Sequence, residues 1–446
     1  MAPKEETSSP NEHFRKKETM KASKSEWIHP ALTLVLLNAI DMFSVALVVP
    51  LLHQYFKEAG VTNASLRELL SSLFSGSQIV GGLIIGGLSD SGLLSRKHIL
   101  YASFLGSALS YALIVYGGIK GLIISRIVVG AVKQTSTIST AMIATYTTNE
   151  KRSMYLGKIG SAATLAFMVG PAVGGYLFKH VDTRAPALLA SSLFLINFVL
   201  AAILLPNEEY VHVPKANEKK ADKFASFSKN FKACFTSKTL SNVVLSSLLY
   251  GWITRATSYA SMASYYEEMF GIEPYQRGYL SSYQSVLSFI FQTFLVQYAF
   301  RKLGNEYRAA CFAALGMIIA TMLEFSANLY IFIGVISPII SVSNSVLRLS
   351  LQSLVTKVSP KESIGSVLAA LDVLQNLASV TVPFYRTILF KIMSCCAKEE
   401  DHDACMLGDP CPSMWLQSSL LHWILTALLL CHFLLKHQHM EKEKVN

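Results

Sequence analysis

Charge is scarce in this sequence: Asp, Glu, Lys and Arg make up only 15% of its 446 residues, while apolar residues make up 52%. Long stretches hold no charge at all. That balance excludes a single soluble domain, because uncharged runs of about 20 residues suit a bilayer and exceed what an aqueous core buries. Enzyme signatures are also missing, with no GxxxxGK[ST] loop, no HExxH and no GxSxG. An enzyme is therefore not expected, nor an ATP-driven pump, nor a bound metal or other cofactor. No short apolar segment with a small-residue cleavage site precedes the first long run, which is expected to act as its own insertion signal. The net charge of +10 gathers in tails and loops. Such a distribution follows the positive-inside bias and does not make the groove that a nucleic-acid partner needs.

What is present is a series of twelve apolar runs, near residues 28–52, 69–88, 99–117, 122–145, 155–178, 185–205, 240–263, 279–300, 308–325, 329–351, 364–389 and 415–435. The chain divides accordingly into a disordered tail (1–26), six spans (27–206), a linker (207–238), six more spans (239–436) and a second tail (437–446). Basic residues put both tails in the cytoplasm and leave the identity of the membrane open. In the linker Phe224, Phe227, Phe231 and Phe235 recur among lysines at helical spacing, as in a helix lying on the inner leaflet or in a plain solvated connection. Asn63, in the sequon Asn63-Ala64-Ser65, falls on the outer side and is a glycosylation candidate. Cys395, Cys396, Cys405 and Cys411 fall in an outer loop, where at least one disulfide is expected and the pairing is open.

Charges inside spans need a partner or a wet cavity. Asp41 in the first span and Arg126 in the fourth fall at similar depths and are expected to meet, as a proton-carrying pair or as a static ion pair. Lys133 and Gln134 two turns below Arg126, Gln78, Asn38 and Asp372 are further candidates for a substrate cavity. Arg255, Glu324 and Arg348 are expected to snorkel at span ends. Gly170, Pro171, Gly174 and Gly175, in LAFMVGPAVGGYL, make a small-residue face on the fifth span, suited either to ordinary packing or to motion.

Several of these groups resemble motifs of the major facilitator superfamily, in particular its drug:proton antiporter branch. GPAVGG is similar to the fifth-helix motif, DMFSVALVVP from Asp41 to Pro50 to the first-helix motif, and Arg126 to Gly130 to the fourth-helix RxxxG. Gly87-Leu88-Ser89-Asp90 followed by Arg96-Lys97 resembles the gating loop between helices two and three, with about two extra residues. The resemblance implies an all-α membrane protein of twelve helices in two six-helix bundles. It implies a secondary active transporter of a small organic solute, working by alternating access and coupled to protons through Asp41 and Arg126. Gating would involve Gly87, Asp90, Arg96, Lys97 and the GPAVGG face. A facilitative uniporter and a non-transporting sensor or scaffold of the same ancestry are the alternatives. A monomer in the lipid bilayer is expected.

Overall fold

A computed structural model describes residues 29–61, 64–90, 94–147, 149–206, 234–235, 237–258, 266–267, 270–303, 305–326, 328–359, 364–400 and 412–445. Asn63, Cys405, Cys411, the first tail and the linker up to residue 233 lie outside the described residues. Gly87, Asp90, Asp372, Cys395 and Cys396 fall on described helices, but their side chains are likewise outside the description.

All regular structure among the described residues is helical. The first half contains α1 (Pro30–Glu58), α2 (Ala64–Asp90), α3 (Arg96–Tyr116), α4 (Gly118–Val132), α5 (Thr135–Tyr146), α6 (Asn149–His180) and α7 (Ala185–Leu204). The second half contains α8 (Lys238–Ser258), α9 (Pro274–Ile290), α10 (Val296–Leu303), α11 (Glu306–Glu324), α12 (Leu329–Val358), α13 (Ile364–Glu400) and α14 (Pro412–Val445). By length and composition α1, α3, α7, α11 and α12, with segments of α6 and α14, can cross a membrane, seven candidates among the described residues. The remaining apolar runs fall on α2, on α4 with α5, on α8, on α9 with α10, and on α13.

Local chemistry sets the helix starts. Ser95 caps α3 by accepting from the His98 N–H, Asn305 caps α11 through Tyr307, and Glu273 with Gln276 forms a capping box at α9, each satisfying N–H groups that a first turn leaves without partners. Pro50 sits in a tight 3-10 turn, Val49–Leu51, inside α1. The lack of a proline N–H tolerates that departure from α geometry.

Burial follows the two halves. One core runs from Ala31 to Leu205, with Phe104, Met142 and Phe194 fully enclosed, and another runs from Cys234 to Leu434. Lipid-facing surfaces are apolar, as on α11, where Phe312, Leu315, Ile319 and Met322 are exposed. The two ends of the molecule differ. At one, marked by Lys57, the halves are tied together; at the other, marked by Arg96, helix faces lie open.

Candidate functional site

The fourth span is broken. α4 ends at Val132, Lys133 leaves helical geometry with ψ 85, and α5 restarts at Thr135. A break inside a span frees backbone groups and is tolerated where the chain lines protein or water. Here the backbone of α2 closes over it. A Cβ on Gly81 would fall within 3.0 Å of the Ala131 carbonyl, and Gln134 Nε2 donates to the Gln78 carbonyl at 3.4 Å.

The break aims Lys133 at Asp41. Lys133 Nζ donates to both carboxylate oxygens, at 2.9 and 3.0 Å, with Asp41 0% exposed and the Lys133 side chain 16% exposed. The Thr135 hydroxyl donates to the same carboxylate at 3.4 Å and lies 2.9 Å from the Ser103 hydroxyl. The ammonium also stands 4.7 Å over the Phe194 ring, which stacks on Tyr111. The carboxylate charge is thereby met by a bidentate cation and a hydroxyl where water does not reach.

This geometry corrects the expected pairing of Asp41 with Arg126. Arg126 is half-buried, and its hydrogen bond, at 3.5 Å, goes to the Ser125 hydroxyl. Lys133 lies seven residues along the same helix face, roughly 10 Å from it, and that distance decides which cation Asp41 meets. Asn38 differs from expectation too. It is buried, and its amide donates to Leu34 of its own helix, whereas Gln78 is exposed.

Two span-end charges also differ from expectation. Arg255 donates to the Gln375 carbonyl at 2.9 Å, and Glu324 is buried, so neither snorkels. Of the expected gating pair, Arg96 donates to the Thr145 hydroxyl at 2.7 Å, and Lys97 donates to the carbonyls of Ala202 and Leu205. Lys97 thereby caps the C-terminus of α7, where a cation also meets the negative end of the helix dipole.

The GPAVGG face of α6 packs on two partners. A Cβ on Gly170 or Gly174 would fall within 3.0 Å of Ala46 or of the Leu47 carbonyl on α1, inside the first half. A Cβ on Gly175 would collide with the Tyr275 carbonyl, and one on Gly278 of α9 with the Pro171 carbonyl, both across the halves. Between them the Ala172 N–H donates to the Ser282 hydroxyl of α9 at 2.9 Å. Proline at 171 loosens the local helix ladder, and the hydroxyl takes up an N–H there.

Two ion clusters at the Lys57 end join the halves and were not foreseen. Glu68 of α2 and Arg386 of α13, 1% and 3% exposed, are 3.1 Å apart, and Arg386 also donates to the carbonyls of Ala256 and Arg255. Glu267 accepts from Lys57 at 2.9 Å and from Arg277 at 2.7 Å, with His53 at 3.9 Å. The weak sequence signal was a set of charges near predicted span ends, which ordinarily read as interfacial.

Toward the Arg96 end the same helices part. A Cβ on Gly157 or Gly160 of α6 would meet nothing within 4 Å. Ser161 and Thr164 on α6, Thr137 and Thr140 on α5, and Arg348 and Gln352 on α12 are exposed. Polar faces of this kind, within membrane-spanning helices, line water and not lipid. Joined charges at one end, a broken helix and exposed polar faces at the other together describe a multi-span helical membrane protein closed at one end.

The chain belongs to the Major Facilitator Superfamily, whose family profile matches residues 32–383. It is 25% identical over 203 residues to the class D tetracycline resistance protein of Salmonella ordonez, covering 44% of this chain and 50% of that one. It is 29% identical over 173 residues to major facilitator superfamily domain-containing protein 10 of Mus musculus, covering 39% and 36%. The chain spans about half the length of the curated relatives it matches first. In fold it resembles a bacterial homolog of the human lysosomal transporter Spinster, in an inward-facing and unoccupied conformation, with a TM-score of 0.69 at 12% identity over 93% of this chain and 99% of that one.

Proposed function

We propose that the protein is a secondary active transporter of a small organic solute, working by alternating access and coupled to protons. The observation that carries this reading is the fully enclosed Asp41 carboxylate held by Lys133 at a break in the fourth span. Protonation of Asp41 removes the attraction that fixes Lys133 and Thr135, and so frees the joint between α4 and α5. Deprotonation restores it. A proton thereby changes the shape of a helix beside the path, which is what coupling requires.

Basic residues orient the chain. Arg96, Lys97, Lys151 and Arg152 stand at the open end, which the positive-inside bias makes cytoplasmic. The sealed Lys57 end would then face outward, which supports an inward-facing form of the cycle. Opening the outer side would require separating Glu68 from Arg386, Glu267 from Lys57, and the GPAVGG face from α9. The boundaries at 206 and 239, with the linker between, would make the rocking units.

The test is reconstitution of purified protein in liposomes containing a pH dye, with a mixed panel of organic cations, anions and sugars. A proton flux triggered by one solute and lost in Asp41→Asn is the expected result. Solute movement without proton flux would make the protein a uniporter, and no movement of any solute by folded protein would favour a sensor or scaffold.

A further inference from the structure

The carboxylates described within the spans are largely committed. Asp41 holds Lys133, Glu68 holds Arg386, and Glu306 holds Lys357, while Glu324 is enclosed near the sealed end of α11. Two guanidinium groups lie well inside the helices without such a partner. Arg126 stands eight residues, about 12 Å, from the start of α4, and Arg348 ten residues, about 15 Å, from the end of α12 and close to the end of its apolar run. Among the described residues no carboxylate lies within salt-bridge distance of either one, and Arg126 has one long bond to a serine hydroxyl. Of the two, Arg126 is the poor place for a bare cation, because Arg348 stands on a face that meets water. Arg126 is half-buried among span helices, and Arg348 is exposed on the polar face it shares with Gln352. An uncompensated charge in the first setting costs several kcal/mol unless water or a ligand anion solvates it.

Depth assigns them different tasks. Arg126 lies, by residue count from the sealed end of its helix, at a depth similar to Pro171 and Ser282. Arg348 lies farther toward the open end, where a fixed positive charge concentrates anions and speeds their approach. The planar fork of arginine suits two oxygens of one acid group. We propose that the transported solute is an organic anion whose carboxylate or sulfonate docks on Arg126, with Arg348 drawing it in. The inference rests on the transport reading above and names the substrate class of that same path.

Binding and transport are tested separately. Purified full-length protein is melted in detergent with p-aminohippurate, benzenesulfonate or tetraethylammonium. The anions should raise the melting temperature of wild type, the cation should not, and Arg126→Gln should weaken the anion effect by roughly tenfold or more, as loss of a charge-assisted hydrogen bond does. Arg126→Lys should retain part of it. Should Arg126→Gln fail to fold, protection of Arg126 by the anions against phenylglyoxal, read by mass spectrometry of the wild type, gives the same answer. Stabilisation by tetraethylammonium alone, an anion effect unchanged in Arg126→Gln with no protection of Arg126, or no response to either anion would overturn the assignment. In liposomes, Arg348→Gln should slow anion uptake more at low salt than at high salt, and an equal effect at both would remove Arg348 from the approach path. Transport of the cation but not the anions would end the anion proposal and leave the transporter intact. Binding of the anions without flux would do the reverse.

Discussion

The Glu68 carboxylate of α2 meets the Arg386 guanidinium of α13 at 3.1 Å, across 318 residues of sequence, with both side chains withdrawn from solvent. Breaking such a pair from one side leaves a buried charge, and the strain falls on the contact between the halves. Glu68→Gln should therefore open the Lys57 end. Arg386 keeps its two carbonyl acceptors, so the second half should stay folded. The readout is labelling of Ser282→Cys by a membrane-impermeant maleimide applied from that side, expected to rise severalfold in Glu68→Gln; unchanged labelling would remove the pair from the seal.

Asp41 and Lys133 call for a double-mutant cycle. Lys133→Gln or Asp41→Asn alone should cost about 3 to 5 kcal/mol of stability, the usual loss when one member of an enclosed ion pair is removed. The double variant should recover most of that. Denaturation in detergent gives the coupling, and a pair coupled by less than about 0.5 kcal/mol would count as independent. Transport by the double variant should no longer depend on pH, because the carboxylate proposed to carry the proton is gone.

Two glycines separate packing from motion. Alanine normally gains about 1 kcal/mol over glycine in a helix interior, so the sign of the change reports space. Gly174→Ala presses on the Leu47 carbonyl within the first half and should lower thermal stability. Gly278→Ala presses on the Pro171 carbonyl across the halves and should leave each half stable while slowing turnover, since the sealed state can no longer close.

Pro171 belongs to the same contact. Pro171→Leu restores an N–H and tightens the ladder around Ala172, drawing it away from the Ser282 hydroxyl. Turnover should fall at normal surface abundance, and Ser282→Ala should reproduce a smaller part of the loss. Unchanged turnover in both would remove this face of α6 from the cycle.

Much of the protein was legible in one dimension. Scarcity of charge, twelve long apolar runs and a glycine-rich face on the fifth are properties of local composition, and they determined a helical membrane bundle of the superfamily fold. Asp41 stood out for the same reason, as a charge in an apolar run. What tertiary structure alone decided was its partner. Arg126 and Lys133 share one face of one helix, and periodicity cannot say which lies level with Asp41; the break after Val132 does, by turning Lys133 toward α1. The seal was hidden for a related reason. Glu68, Lys57, Arg277 and Arg386 each look like ordinary charges at a membrane surface when taken singly, and only the approach of the two halves withdraws them from water and makes them a lock.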